Sequence, residues 1–271
     1  MLVSLEAVPR SREALADAVI TAAAFPQISR INAPDILRFS LRSWDACGML
    51  AELTASTYSA GAFIPDCMPH IRAIDFDLNE PFPHRDLFRS GGIRRALVVA
   101  GDPPRDKTHR TYPTETVAFI RKLKAEMPEL RLYAAFDPYR SNIRYELEYV
   151  RIKEEAGAEG FMSQPFFDLR LLEIYAEYLE GKEIFWGVTP VLSGSNRNYW
   201  ESRNRAVFPK TFRPTLEWNV EFGRRVLDFC ARNRFNLYLM PIKGDLKAYL
   251  DGLFGKEAAE LPAEAHPRSN T

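Results

Sequence analysis

The stretch Arg94–Pro104 reads RRALVVAGDPP, an apolar run (Ala96–Ala100) that halts on Gly101-Asp102-Pro103-Pro104. A short apolar run closed by turn residues marks a strand covered on both faces, as in a parallel sheet. Gly101 reaches backbone conformations closed to other residues, and the two prolines bar the strand from continuing. Asp102 is therefore presented where the strand ends, which is where β/α proteins carry out their chemistry. Taken alone, Asp102 is equally well an ordinary turn former.

The same alternation runs outward in both directions. Strands are expected at Leu2–Val8, Ser29–Ile36, Met68–Asp75, Ala96–Ala100, Leu130–Phe136, Gly160–Gln164, Ile184–Val191 and Phe235–Pro241. Helical patterns lie between them at Ser11–Ala24, Trp44–Ser59, Thr114–Glu126, Asn142–Ala156, Leu169–Leu179, Leu216–Arg232 and Gly244–Phe254. In Thr114–Glu126, Val117, Ile120 and Leu123 share one face while Arg121, Lys122 and Lys124 point away. Eight strand–helix alternations predict an α/β fold, a single-domain (β/α)8 TIM barrel over residues 1–255. An open dinucleotide-binding sheet is the rival, but no G-x-G-x-x-G follows any strand. Residues 256–271, KEAAELPAEAHPRSNT, are polar, hold two prolines and lack periodicity, which predicts a disordered tail.

Acidic and basic residues balance at 36 each, so no overall charge favours nucleic acid or an anionic membrane. No apolar run approaches the roughly 20 residues that span a bilayer. The first residues, MLVSLEAVP, lack the layout of a signal peptide. Three widely spaced cysteines, Cys47, Cys67 and Cys230, suit a reducing compartment better than a disulfide framework. A cytoplasmic enzyme is expected. Cys67 and His70 have metal-like spacing, but two ligands do not close a zinc site, and no metal is expected.

Polar residues gather where the strands close. Glu6 ends strand one, and His70 and Arg72 share a face of strand three. Asp102 follows strand four, Phe136-Asp137-Pro138 and Arg140 follow strand five, and Gln164 closes strand six. A charged residue in an apolar first strand needs a partner or a task.

Glu6 in VSLEAVPR, His70 in PHIRAID, Asp102 in VVAGDPP and Gln164 in AGAEGFMSQPFFD stand in an order that resembles the methylenetetrahydrofolate reductases, whose catalytic barrel the whole body of the chain is similar to. The resemblance implies reduction of 5,10-methylenetetrahydrofolate to 5-methyltetrahydrofolate in one-carbon metabolism, with NADH or NADPH acting through FAD in a ping-pong cycle. It implies that Glu6 is the general acid, that Asp102 stabilises a cationic iminium, and that Gln164 holds the pterin. It also implies flavin contacts from His70, Asp102 and Lys153, with Lys153 at a phosphate, and a homo-oligomer. Gly101 and Phe136 are expected beside the flavin too, with Arg72 and Arg140 supplying compensating positive charge.

The chain departs from the family pattern. Ala100 stands where an arginine usually precedes Gly-Asp, Arg140 where a histidine is frequent, and Glu146, Tyr149 and Ile152 replace polar groups expected beside Lys153. Two alternatives follow: a folate reductase with little or no FAD and direct hydride transfer, and a folate- or flavin-binding partner subunit without turnover. Phe166 and Phe167 are expected in packing.

Overall fold

The computed structural model describes residues 1–57 (side chains to 52), 66–104, 109–241 and 244–255. Eight parallel strands close a barrel in chain order: β1 (Val3–Glu6), β2 (Ile28–Ala33), β3 (Asp66–Arg72), β4 (Arg95–Val99), β5 (Arg131–Phe136), β6 (Gly160–Pro165), β7 (Ile184–Val188) and β8 (Asn236–Leu239). β8 pairs with β1 to complete it, Leu5 opposite Leu239. Around it lie α1 (Arg12–Ala23), α2 (Ser43–Thr57), α3 (Arg85–Ser90), α4 (Thr116–Glu126), α5 (Ile143–Glu155), α6 (Leu169–Tyr178), α7 (Gly194–Asn204), α8 (Leu216–Asn233) and α9 (Leu246–Phe254).

All eight expected strands are present, several of them shorter than their apolar runs. β1 stops at Glu6 and β7 at Val188. Helices α3 and α7 were not anticipated. α3 is too short to show a period, and α7 reads GSNRNYWESRN, without an apolar stripe. The expected tail, 256–271, lies outside the described residues.

Strand alternation sorts the core into two. Along β5, Leu132, Ala134 and Phe136 belong to the large cluster between barrel and helices, whereas Tyr133 joins Met68, Leu97, Met162, Phe185 and Tyr238 inside the barrel. The ring of Phe136 therefore packs outward on Tyr175 and Trp186, with centroids 5.9 Å away in each case, instead of facing a cofactor. Phe166 and Phe167 are fully buried, as expected of packing residues.

At the N-terminal ends of the strands, ion pairs lie beneath this filling. Arg30 reaches Glu183 at 3.7 Å and Asp66 at 3.9 Å, Arg95 pairs with Asp66, and Arg131 pairs with Glu183. Tyr133 donates its hydroxyl to Glu183 at 2.7 Å from within the barrel.

The cysteines overturn the expectation of free thiols. Cys47 of α2 and Cys67 of β3 form a disulfide, their Cα atoms 5.4 Å apart, because α2 packs against β3 and brings together residues 20 apart in the chain. Cys67 is thereby removed as a metal ligand, and Cys230 is free and buried.

Candidate active site

At the C-terminal ends of the strands the barrel opens into a cavity of about 370 Å³, floored by Leu97, Met162, Tyr238 and Met240. Of the nine expected site residues, eight line it: Glu6, His70, Gly101, Asp102, Phe136, Arg140, Lys153 and Gln164. Arg72 does not.

Glu6 is the last residue of β1, and its carboxylate accepts a hydrogen bond from the Tyr238 hydroxyl on β8. Burial pushes its pKa up to about 7, against the lowering influence of Tyr238. Tyr238 is itself fixed by Asn32. The amide oxygen of Asn32 accepts from Ser4 Oγ at 2.8 Å, and its nitrogen meets the Met162 sulfur at 3.0 Å. Glu6 is thus a carboxylic acid held in one place and poised to give up a proton near neutrality.

His70 is buried in β3, and its carbonyl accepts from Ser43 Oγ at 2.6 Å. Burial lowers its pKa to about 4, so the ring is neutral at physiological pH. Among the described residues its Nε2 has no hydrogen-bonding partner, although it is buried at the cavity wall.

Gly101 adopts a φ of +83°, and a Cβ there would lie 2.6 Å from Ile74 and 3.0 Å from Arg72. This left-handed turn delivers Asp102 to the mouth, where its side chain is exposed. Arg72 holds the turn from behind: its Nε donates to Asp75 at 3.1 Å and its Nη2 to the Asp102 carbonyl at 2.6 Å. Arg72, expected at the flavin, thus has its guanidinium engaged behind the turn and away from the cavity lining.

Gln164 lies on the opposite wall, where the ladder between β6 and β7 shifts register. Ser163 Oγ accepts from Gly187 N at 2.7 Å, and a side chain at Gly187 would collide with the carbonyls of Ser163 and Gln164. The backbone that presents Gln164 is thus closely fitted.

Beyond β5 the wall is acidic. Glu146 of α5 accepts from Asp137 N at 2.9 Å, and burial, with Glu146 nearby, raises the pKa of Asp137. Lys153 is only 3% exposed. Its Nζ donates to the Ala135 carbonyl at 2.6 Å and sits 3.8 Å from the Tyr149 ring centroid. Burial lowers its pKa to about 8.

Sequence reasoning missed Tyr238 and the contribution of α7. The alternation of Leu237, Tyr238 and Leu239 points the tyrosine inward, a signal the sequence does carry. From α7 come Tyr199, Trp200 and Asn204, with Trp200 seated on Phe167 at 5.6 Å. Ser193 caps the helix by accepting from Asn196 N at 3.1 Å. Among the described residues no cluster of three or more His, Cys, Asp or Glu is arranged to hold a metal, and no helix is long and apolar enough to cross a membrane.

A family model described as methylenetetrahydrofolate reductase matches residues 13–219. The chain belongs to the methylenetetrahydrofolate reductase family. His70, Asp102, Lys153 and Gln164 lie within the matched stretch, while Glu6 and Tyr238 lie outside it and rest on geometry. A similar protein, a probable methylenetetrahydrofolate reductase (NADPH) of Caenorhabditis elegans, is 21% identical over 231 residues, covering 74% of this chain and 35% of the relative. The chain thus spans little more than a third of the length of that curated relative. Among solved structures, oxaloacetate acetylhydrolase has a TM-score of 0.55 at 12% identity, covering 89% of this chain and 75% of its own. That likeness concerns the barrel alone.

Proposed function

We propose that this member of the family reduces 5,10-methylenetetrahydrofolate to 5-methyltetrahydrofolate with electrons from NADH or NADPH, as a homo-oligomer of one-carbon metabolism. The observation that carries the reading is Glu6. It is a carboxyl group with its pKa raised to about 7, on the cavity wall that also holds Asp102 and Gln164.

The reaction opens a five-membered ring between two nitrogens. The departing N10 needs a proton, and the carbon left on N5 becomes an iminium cation that accepts hydride. Glu6 supplies the proton. Asp102 places negative charge at the mouth, where the iminium develops, and favours the cation over the closed ring. Gln164 offers both a donor and an acceptor to the pterin edge, and Tyr199 and Trp200 give flat apolar surface to its rings.

FAD fits the described residues poorly. The family resemblance places its diphosphate near Lys153 and its ring between the ends of β3, β4 and β5. There the Lys153 ammonium is buried and bonded to Ala135, Ala100 offers a methyl group, and Arg72 is engaged with Asp75. Asp102, Asp137 and Glu146 line the same side. A phosphate charge about 6 Å from one carboxylate costs roughly 3 kcal/mol at an effective dielectric of 20. Among the described lining residues, the cations facing these acids are Arg140 and Lys153, since His70 is neutral.

Glu6→Gln tests the reading, because glutamine keeps the shape and loses the acid. Turnover should fall by roughly 10²–10⁴-fold while folate binding, followed by fluorescence quenching, persists. Unimpaired turnover in Glu6→Gln would remove Glu6 as the acid.

A further inference from the structure

Resting on the folate-reductase reading, we infer that hydride passes directly from the reduced nicotinamide to the folate within one ternary complex, without a flavin between them. The cavity accepts small flat rings but walls its β5 side with carboxylates, so it suits a cationic intermediate better than a buried diphosphate. A nicotinamide dinucleotide makes a different demand from FAD. Its reacting group is a single ring where the flavin's is three fused rings, so it takes less of the cavity of about 370 Å³ beside the pterin and leaves the diphosphate outside at the rim.

The rim offers cations at that place. Arg140, just after β5, is exposed, and so is Arg205, the residue that ends α7. Arg205 is one of two non-glycine residues with positive φ among those described, at 56°, and its Nη1 donates to the Arg140 carbonyl at 3.4 Å. Two guanidinium-bearing residues are thereby tethered together beside the mouth, next to Tyr199 and Asn204. We assign Arg140 and Arg205 to the dinucleotide phosphates. The electron account closes without another carrier. Glu6 protonates N10 as the C–N10 bond breaks, the C4–H bond of the nicotinamide gives its hydrogen and both electrons to the methylene carbon, and NAD(P)⁺ leaves.

Purified protein, stripped of small molecules by dialysis against charcoal, is assayed with 5,10-methylenetetrahydrofolate and NADH or NADPH, with and without added FAD. Turnover should be the same in both arms, double-reciprocal plots should intersect, and deuterium at the transferring C4 position should be retained in the product methyl group. Transfer through a flavin would expose the label to solvent at an exchangeable N–H. Arg205→Ala and Arg140→Ala should each raise the KM for the dinucleotide by about tenfold or more. Dependence on FAD, parallel plots or label lost to water would overturn direct transfer and leave the folate-reductase reading standing. No turnover in either arm would overturn the reading and the inference together.

Discussion

Tyr238→Phe isolates one hydrogen bond at the heart of the site. The phenol donates to the Glu6 carboxylate, and that bond counteracts the burial that raises the Glu6 pKa to about 7. Phenylalanine keeps the ring within the barrel cluster of Met68, Leu97 and Phe185 and removes only the donor. A hydrogen bond to a charged acceptor is worth about 1.5–3 kcal/mol. At 1.36 kcal/mol per pH unit, its loss moves the pKa upward by about one to two units. As the proposed general acid, Glu6 acts in its protonated form, so activity is expected to fall as pH rises through that pKa. The alkaline limb of the kcat/KM profile should therefore lie near pH 7 in the parent protein and about one to two units higher in the variant. Below pH 6 the two proteins should differ little. The measurement is the full pH–rate profile, with thermal melts to confirm folding. An alkaline limb that stays in place, or moves to lower pH, refutes the coupling of Tyr238 to the catalytic acid.

Gln164→Ala should weaken folate binding by roughly ten- to hundredfold, the loss of about 1–3 kcal/mol of hydrogen bonding, as read by titration without reductant. Gly101→Ala forces a Cβ to within 2.6 Å of Ile74 at a φ of +83° and so shifts the turn that carries Asp102. The expected result is a loss of turnover with a stability cost of about 1–3 kcal/mol, measured by denaturant melts. Reducing the Cys47–Cys67 disulfide, which closes a 20-residue separation, should lower stability by about 3 kcal/mol. Thiol titration in denaturant should find one free cysteine before reduction and three after, and three before reduction would contradict the bond.

The barrel was legible because apolar runs and turn residues are local signals. β4 and its GDPP turn contain nearly all the information needed to place Asp102. Glu6 was legible for a related reason, since a carboxylate inside an apolar strand is costly unless it has a use. Partners contributed by distant segments were not. Tyr238 meets Glu6 across 232 residues, and nothing near either residue announces the other. Arg72 stands two residues after His70 on β3, but its capture by Asp75 and the Asp102 carbonyl depends on how the chain turns after that strand. Phe136 lines the cavity, yet its ring keeps step with Leu132 and Ala134, which face the helices, a parity the alternation of β5 already carries. The polar helix α7 escaped notice because its site-facing residues have no stripe to reveal them.

The filled interior beneath Glu6 makes the barrel a vessel with one door. Met68, Tyr133 and Phe185 occupy the space below the cavity, and the arginine–carboxylate layer closes the far end. Tyr238 is no proton reservoir, since burial and the adjoining Glu6 hold its phenol well above the ordinary range. With Glu6 as the proposed acid, each replacement proton arrives from bulk water by the same mouth that would admit the folate. A product still seated there is a cork. On the proposed reading the enzyme resets in a fixed order, with product out, proton in and the next folate last, and the lifetime of the bound product sets how soon the acid is ready again.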